Sequence, residues 1–269
     1  DIEKEAELAK CFPYPDLSKM GHVTKTRKPV EKVIELRKFF GVSSLANIPS
    51  VKAFQPAFRR NDKHSVSQEA LAAWLRVGQI SAEKADVPKY NKKALKEALP
   101  QLRAMTKHVE PNQLMEGIKS LLASCGVVLV MVPAFKNTST TGATFWHFAE
   151  KAVIMMSLRG SYADIFWFSL FHEIAHILLH DKRVTFLEDH SQDLAHAKQE
   201  AEADAFAQTL LIPEKAYREF LAIGKFDSLS IDHFAEQIGI HPGIVTGRLL
   251  HDKKIPYTCH FHRVRYKWS

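Results

Sequence analysis

The stretch Asp164-Ile165-Phe166-Trp167-Phe168-Ser169-Leu170-Phe171-His172-Glu173-Ile174-Ala175-His176-Ile177-Leu178-Leu179-His180 decides how this chain reads. Its apolar residues run nearly all round a helix, so the spacing predicts a buried helix, with Asp164 as the N-terminal cap. Two histidines and a glutamate inside such a helix need partners, because a polar group taken out of water without one is costly. His172 and His176 are four residues apart, just over one turn. Both imidazoles therefore project from one face and can share a metal ion. Glu173 lies beside the first ligand and can take a proton from a metal-activated water, which is the chemistry of a zinc hydrolase.

Such a site needs a third protein ligand. Lys182 stands where a third histidine of the metzincin type would fall. Downstream comes Glu200-Ala201-Glu202-Ala203-Asp204-Ala205-Phe206-Ala207. Glu200 and Asp204 share a helix face, which Ala203, Ala207 and Leu211 extend with small and apolar side chains, whereas Glu202 points nearly opposite. Glu200 is thus the preferred third ligand, Glu202 the runner-up, and Asp204 the acceptor that orients an imidazole N–H. A His/His/Glu set suits zinc and also manganese.

Around this centre the chain divides by hydropathy period. Residues 1–30, with Pro13, Pro15, Pro29 and the basic run Lys25–Lys28, read as a loosely packed lead-in. Helices are predicted over Glu31–Phe40, Gln68–Ser81, Asn91–Leu99 (broken at Pro100, resumed to Thr106) and Pro111–Ser124. Then the period changes. Val127–Val132, Gly142–His147 and Ala152–Leu158 are strand candidates, the first two joined by the small polar loop 137–141. After the histidine helix, further helices are predicted over Asp193–Leu211 and from Pro213 to Ala222. The expected division is a helical region over 1–108, a metal-site domain over 109–224 and a helical segment with a tail over 225–269.

Composition narrows the function classes. The chain has 269 residues, 46% apolar and 25% charged, enough to bury a core without staples. Cys11, Cys125 and Cys259 are odd in number and lack metal spacing, so a disulfide framework is not expected and a cytoplasmic setting fits. No run is apolar enough to span a membrane. The start Asp1-Ile2-Glu3-Lys4-Glu5 has neither a signal-peptide core nor Met, and reads as an excised fragment. The net charge of +7 is uneven: residues 1–110 carry +8 and the remainder −1. A basic front half suggests either an acidic partner or a solvated helical surface.

The run Phe168–His180, with Glu200–Phe206 continuing into Leu210-Leu211-Ile212-Pro213, resembles the active-site helix and second motif (E-x-x-A-D/N-x-F-A, then L-L-x-P) of the ImmA/IrrE family of zinc metallopeptidases. That resemblance implies an α+β, zincin-like fold: a small, mainly antiparallel, three-stranded sheet packed on the HExxH helix. It implies Zn2+ on His172, His176 and Glu200, and Glu173 as the catalytic base. It also implies site-specific cleavage of a protein substrate, a DNA-binding repressor or regulator. Phe39-Phe40-Gly41-Val42, Ala72-Ala73-Trp74-Leu75-Arg76, Gly142-Ala143-Thr144 and Pro242–Leu249 are similar to HigA-like antitoxins, which carry a DNA-binding helix-turn-helix ahead of this region. That second likeness implies a toxin partner, DNA contact mainly through a domain absent here, and an alternative role as an antitoxin, transcriptional regulator or stress sensor with a structural or ligand-sensing metal site.

Weaker signals remain. Ala235, Gly239 and Val245 have helix-turn-helix spacing, which an ordinary helical corner shares. Only Arg248, with Lys253 and Lys254 at its end, equips the second helix for a major groove. The tail His260–Trp268 alternates like an edge strand. His180 continues the histidine face and is expected at the helix C-terminus, facing the dipole. His190 and His196 read as solvated loop residues. His147 and Tyr257 are candidate oxyanion helpers. One strand edge, expected at Ala152–Leu158, would take substrate as an added strand.

Overall fold

A computed structural model describes residues 2–58, 67–108, 110–136, 138, 141–148, 150–157, 162–180, 186–187 and 194–266. The helices are α1 (Ile2–Ala9), α2 (Tyr14–Lys19), α3 (Pro29–Phe40), α4 (Gln55–Phe58), α5 (Gln68–Lys84), α6 (Lys92–Ala104), α7 (Pro111–Ser124), α8 (Ala163–Leu179), α9 (Leu194–Leu211), α10 (Glu214–Ile223), α11 (Ser228–Ile238) and α12 (Pro242–His251). The strands are β1 (Val127–Met131), β2 (Gly142–His147), β3 (Lys151–Met156) and the two-residue β4 (Phe186–Leu187). The α+β class and the small sheet packed on the histidine helix are as expected. No helix among the described residues is long and apolar enough to cross a membrane.

The sheet runs in the order β1-β3-β2-β4. β1 lies parallel to β3, and β2 lies antiparallel to both β3 and β4. Strand period assigns each residue to a face. Val127, Leu129, Ala152, Ile154 and Met156 face α7 and α8. Val128, Val130, Ala143, Phe145, Val153 and Met155 face α5 and the N-terminal helices. A sheet covered on both sides needs continuous apolar strands, which is why Val127–Val132 shows no polar alternation. The expected substrate edge at Ala152–Leu158 is corrected here. β3 is interior, hydrogen-bonded to β1 on one side and β2 on the other, and position 158 lies outside the described residues.

The lead-in is also corrected, because it is packed. Phe12, Tyr14, Leu17 and Val23 are buried with α3 and α5. Glu5, itself buried, locks α1 in place: it accepts from Arg37 Nε and Nη2 at 3.0 and 2.6 Å, from the Ser44 hydroxyl at 2.7 Å and from the Leu45 backbone N–H at 2.8 Å. Sequence polarity concealed this because the anchor is a charge, satisfied by partners 32 to 40 residues away. Pro100 does not break α6, whose buried stripe Leu95, Leu99 and Leu102 holds the helix through it.

α11 and α12 form a corner through Gly239, and α12 is packed against α8. Ile244, Val245, Thr246, Leu249 and Leu250 are buried. A Cβ at Gly247 would lie 2.7 Å from Asp164 Cγ, so only glycine lets the two helices approach this closely. The helix that would read a major groove is therefore occupied by the core. Asp164 does not cap α8, whose N-cap is Tyr162; it pairs with Arg263 at 2.8 Å. Among the described residues the tail makes a single bridge, Tyr162 to Arg265, in place of the expected edge strand. Arg263 stacks on the Tyr162 ring at 3.8 Å, and Tyr266 accepts from Trp167 Nε1 at 3.0 Å.

Candidate metal centre

α8 is buried almost all round, as its sequence requires. His172, Glu173 and His176 are at most 2% exposed. α9 lies alongside, and Ala203, Ala207 and Leu211 turn its small face inward. That contact brings Glu200 to the histidines. Glu200 Oε2 lies 3.2 Å from His172 Nε2, and Glu200 Oε1 lies 3.3 Å from His176 Nε2. The two Nε2 atoms are 3.0 Å apart. A tetrahedral zinc ion with bonds of about 2.0–2.1 Å places its ligand atoms roughly 3.3 Å apart, so this triangle of two imidazoles and a carboxylate fits a small divalent cation. Among the described residues, His172, His176 and Glu200 are the group of this kind.

The surroundings prepare these ligands. Asp204 Oδ1 lies 2.8 Å from His172 Nδ1, one turn of α9 beyond Glu200. Burial disfavours charge on His172, but Asp204, Glu200 and Glu173 outweigh it and raise its pKa to about 10. Burial likewise opposes charge on Glu200, yet the two histidines hold its carboxyl down at about 2. Burial lowers the pKa of His176, favouring the neutral imidazole that a metal requires. The geometry is thus an anionic seat around two imidazoles, with the charge to hold a cation.

Glu173 points to the sheet. The Thr144 hydroxyl of β2 lies 2.5 Å from Glu173 Oε2 and 3.2 Å from the Glu173 carbonyl oxygen. The carboxylate also rests against Gly142, where a Cβ would lie 2.9 Å from Glu173 Cδ. Gly142 and Thr144 therefore seat the residue read as the base, a role that the antitoxin likeness of Gly142-Ala143-Thr144 did not assign them. The relevant signal is a small residue followed two positions later by a hydroxyl, on one face of a strand beside the helix.

Several secondary expectations change. Glu202 does not reach the triangle; its Oε2 lies 3.2 Å from His180 Nε2. The His180 side chain is 3% exposed and its Nδ1 is 2.9 Å from His176 Nδ1, so it turns into the protein and does not face the helix end. His196 belongs to α9, 3.7 Å from Glu200 Oε1, and is not a solvated loop residue. His190, Lys182 and most of the loop 137–141 lie outside the described residues. His147 sits at the far end of β2 against Phe148, and Tyr257 is 70% exposed after α12.

No curated protein matches the chain. Residues 128–245, which include β2, β3, all but the first residue of β1, the histidine helix and all three members of the triangle, match the family model of the IrrE N-terminal-like domain. The match supports an ImmA/IrrE-family metallopeptidase-like domain over these residues.

Proposed function

We propose that this domain is a zinc-dependent endopeptidase that cuts a DNA-binding repressor or regulator at a specific site. The observation that carries the reading is the triangle of His172 Nε2, His176 Nε2 and Glu200, with sides of 3.0 to 3.3 Å, next to a buried glutamate. His172, His176 and Glu200 would hold the ion. When bound, zinc polarises a scissile carbonyl and acidifies water. Glu173 takes the proton from the attacking water and delivers it to the leaving amine nitrogen. Thr144 holds Glu173 Oε2, which restrains the carboxylate at the depth of the histidines. Asp204 accepts the Nδ1–H of His172 and so directs the Nε2 lone pair inward. An extended substrate would add on the β2 side of the sheet, where, among the described residues, β4 pairs with Ala143 and Thr144 alone.

The test is metal content by elemental mass spectrometry, followed by incubation of the zinc-loaded protein with candidate DNA-binding regulators. About one zinc per chain is expected in wild type and none in Glu200→Ala. Cleavage is expected from wild type and not from Glu173→Gln. Loss of metal only in Glu202→Ala, or its absence from zinc-loaded wild type, would refute the assignment. Regulation that survives intact in Glu173→Gln would place the domain in sensing instead of proteolysis.

A further inference from the structure

We propose that His180 is a positioning residue for the metal centre: a relay from Glu202 through His180 fixes His176 in the tautomer that presents Nε2 to the ion. The inference rests on the reading that His172, His176 and Glu200 take a divalent cation. It follows from counting protons along three contacts. Glu202 Oε2 lies 3.2 Å from His180 Nε2, and a carboxylate can only accept, so His180 carries its proton on Nε2. With one proton on the ring, the His180 Nδ1 is then a lone pair. It lies 2.9 Å from His176 Nδ1, and two ring nitrogens at that distance share one proton. His176 must therefore donate from Nδ1, and its Nε2 is left bare. That bare nitrogen is the one facing His172 Nε2 and Glu200.

The other histidine is served in the same way by a shorter path, because His172 Nδ1 meets Asp204 directly at 2.8 Å. Both imidazoles are thus oriented from α9, by carboxylates two residues apart. The backbone makes the longer path possible. α8 ends at Leu179, and His180 adopts an extended conformation (φ −111, ψ 170) while its N–H still bonds the His176 carbonyl at 3.2 Å. That turn folds the ring back under His176, where it is 3% exposed. A histidine serving only the helix end would keep its ring toward water.

The experiment uses the full chain with zinc chloride. Zinc affinity is measured by chelator competition in wild type, His180→Phe, His180→Asn, Glu202→Ala, Asp204→Asn and Glu200→Ala. The His176 tautomer is read from ring ¹⁵N–¹H spectra of histidine-labelled protein. His180→Phe should weaken binding by about 10–100-fold, as should Asp204→Asn. His180→Asn, whose Oδ1 can accept the Nδ1–H, should recover most of that loss. Glu202→Ala should weaken binding without abolishing it, and Glu200→Ala should abolish it. Wild type should show the His176 proton on Nδ1. Zinc uptake indifferent to His180→Phe, a His176 proton on Nε2, or Glu202→Ala as damaging as Glu200→Ala would each overturn the relay alone. Failure of wild type to take up zinc would overturn the metal reading and the relay with it. Should His180→Phe not fold, the Asn variant and the half-exposed Glu202 position still decide the matter.

Discussion

Adding one methyl group at Gly142 tests whether β2 seats Glu173. Gly142 is not among the residues with positive φ, so alanine fits its backbone and only the space is in question. The added Cβ would lie 2.9 Å from Glu173 Cδ, 3.0 Å from Cγ and closer still to Oε1. Restoring ordinary van der Waals separation moves the carboxylate by about 1 Å. Overpacking of this kind costs about 1–3 kcal/mol, and losing the Thr144 hydroxyl bond adds about 1 kcal/mol. Gly142→Ala should therefore destabilise the fold by about 2–4 kcal/mol. In a Glu173→Ala background the clash has no partner, and alanine in a strand is favoured over glycine by about 0.5 kcal/mol. The two substitutions should then be coupled by at least about 2 kcal/mol. Urea unfolding of wild type, both single variants and the double variant, followed by circular dichroism, measures that coupling. Additivity within about 0.5 kcal/mol would refute the claim that Gly142 and Glu173 share this space.

Three further outcomes follow from the same contacts. Arg103 donates to the carbonyls of Leu210, Leu211 and Ile238 at 2.7 to 3.2 Å, closing the ends of α9 and α11. Arg103→Met should lower unfolding stability by about 2–4 kcal/mol, and a loss below 0.5, roughly mutational noise, would remove it as an anchor. The Arg37 guanidinium, helped by Leu45 and Ser44, holds Glu5 at about 2 against its usual 4.5. Its contribution is complete above pH 4.5 and is lost as pH falls toward 2. Between pH 6 and 3, wild type should lose about 1–2 kcal/mol more than Glu5→Gln in urea titrations; equal losses would disprove the linkage. Zinc at about 100 times its Kd should stabilise wild type by about 2.7 kcal/mol in thermal unfolding and leave Glu200→Ala unmoved. Equal stabilisation of both would mean that the ion binds elsewhere.

What could be read in the sequence was whatever a short-range period encodes. The apolar cylinder around His172 and His176, the spacing from Glu200 to Asp204, and the β-rich run Val127–Val132 all appear as local repeats, and each stands where that repeat placed it. Contacts between distant segments were not legible. Glu5 lies in a polar stretch that reads as a lead-in until Arg37 and Leu45 close around it. β3 looked like an edge because a strand's neighbours cannot be read from the strand itself. The corner of α11 and α12 carries the spacing of a DNA-reading motif. Only packing shows that Val245 and Leu249 face the protein interior, and that Gly247 is small because Asp164 passes there. The role of Thr144 and Gly142 escaped for the same reason: they act on a residue some thirty positions away.

The carboxylates of α9 show why the site depends on a contact between helices and not on a motif. On an isolated helix Glu202 faces nearly opposite Glu200 and Asp204, which makes it only the runner-up for the third ligand. In the fold, α8 ends beside α9 and delivers His180 to it, so that Glu200 meets the Nε2 atoms of His172 and His176, Glu202 meets His180 Nε2, and Asp204 meets His172 Nδ1. Nothing in either helix alone sets these distances. They are set by how closely the helices approach, which Ala203 and Ala207 permit by being small, and by where α9 stops, which Arg103 fixes at the Leu210 and Leu211 carbonyls. A variant that loosens this docking should therefore disturb every ligand at once, whereas a variant of Glu202 or Asp204 disturbs one nitrogen.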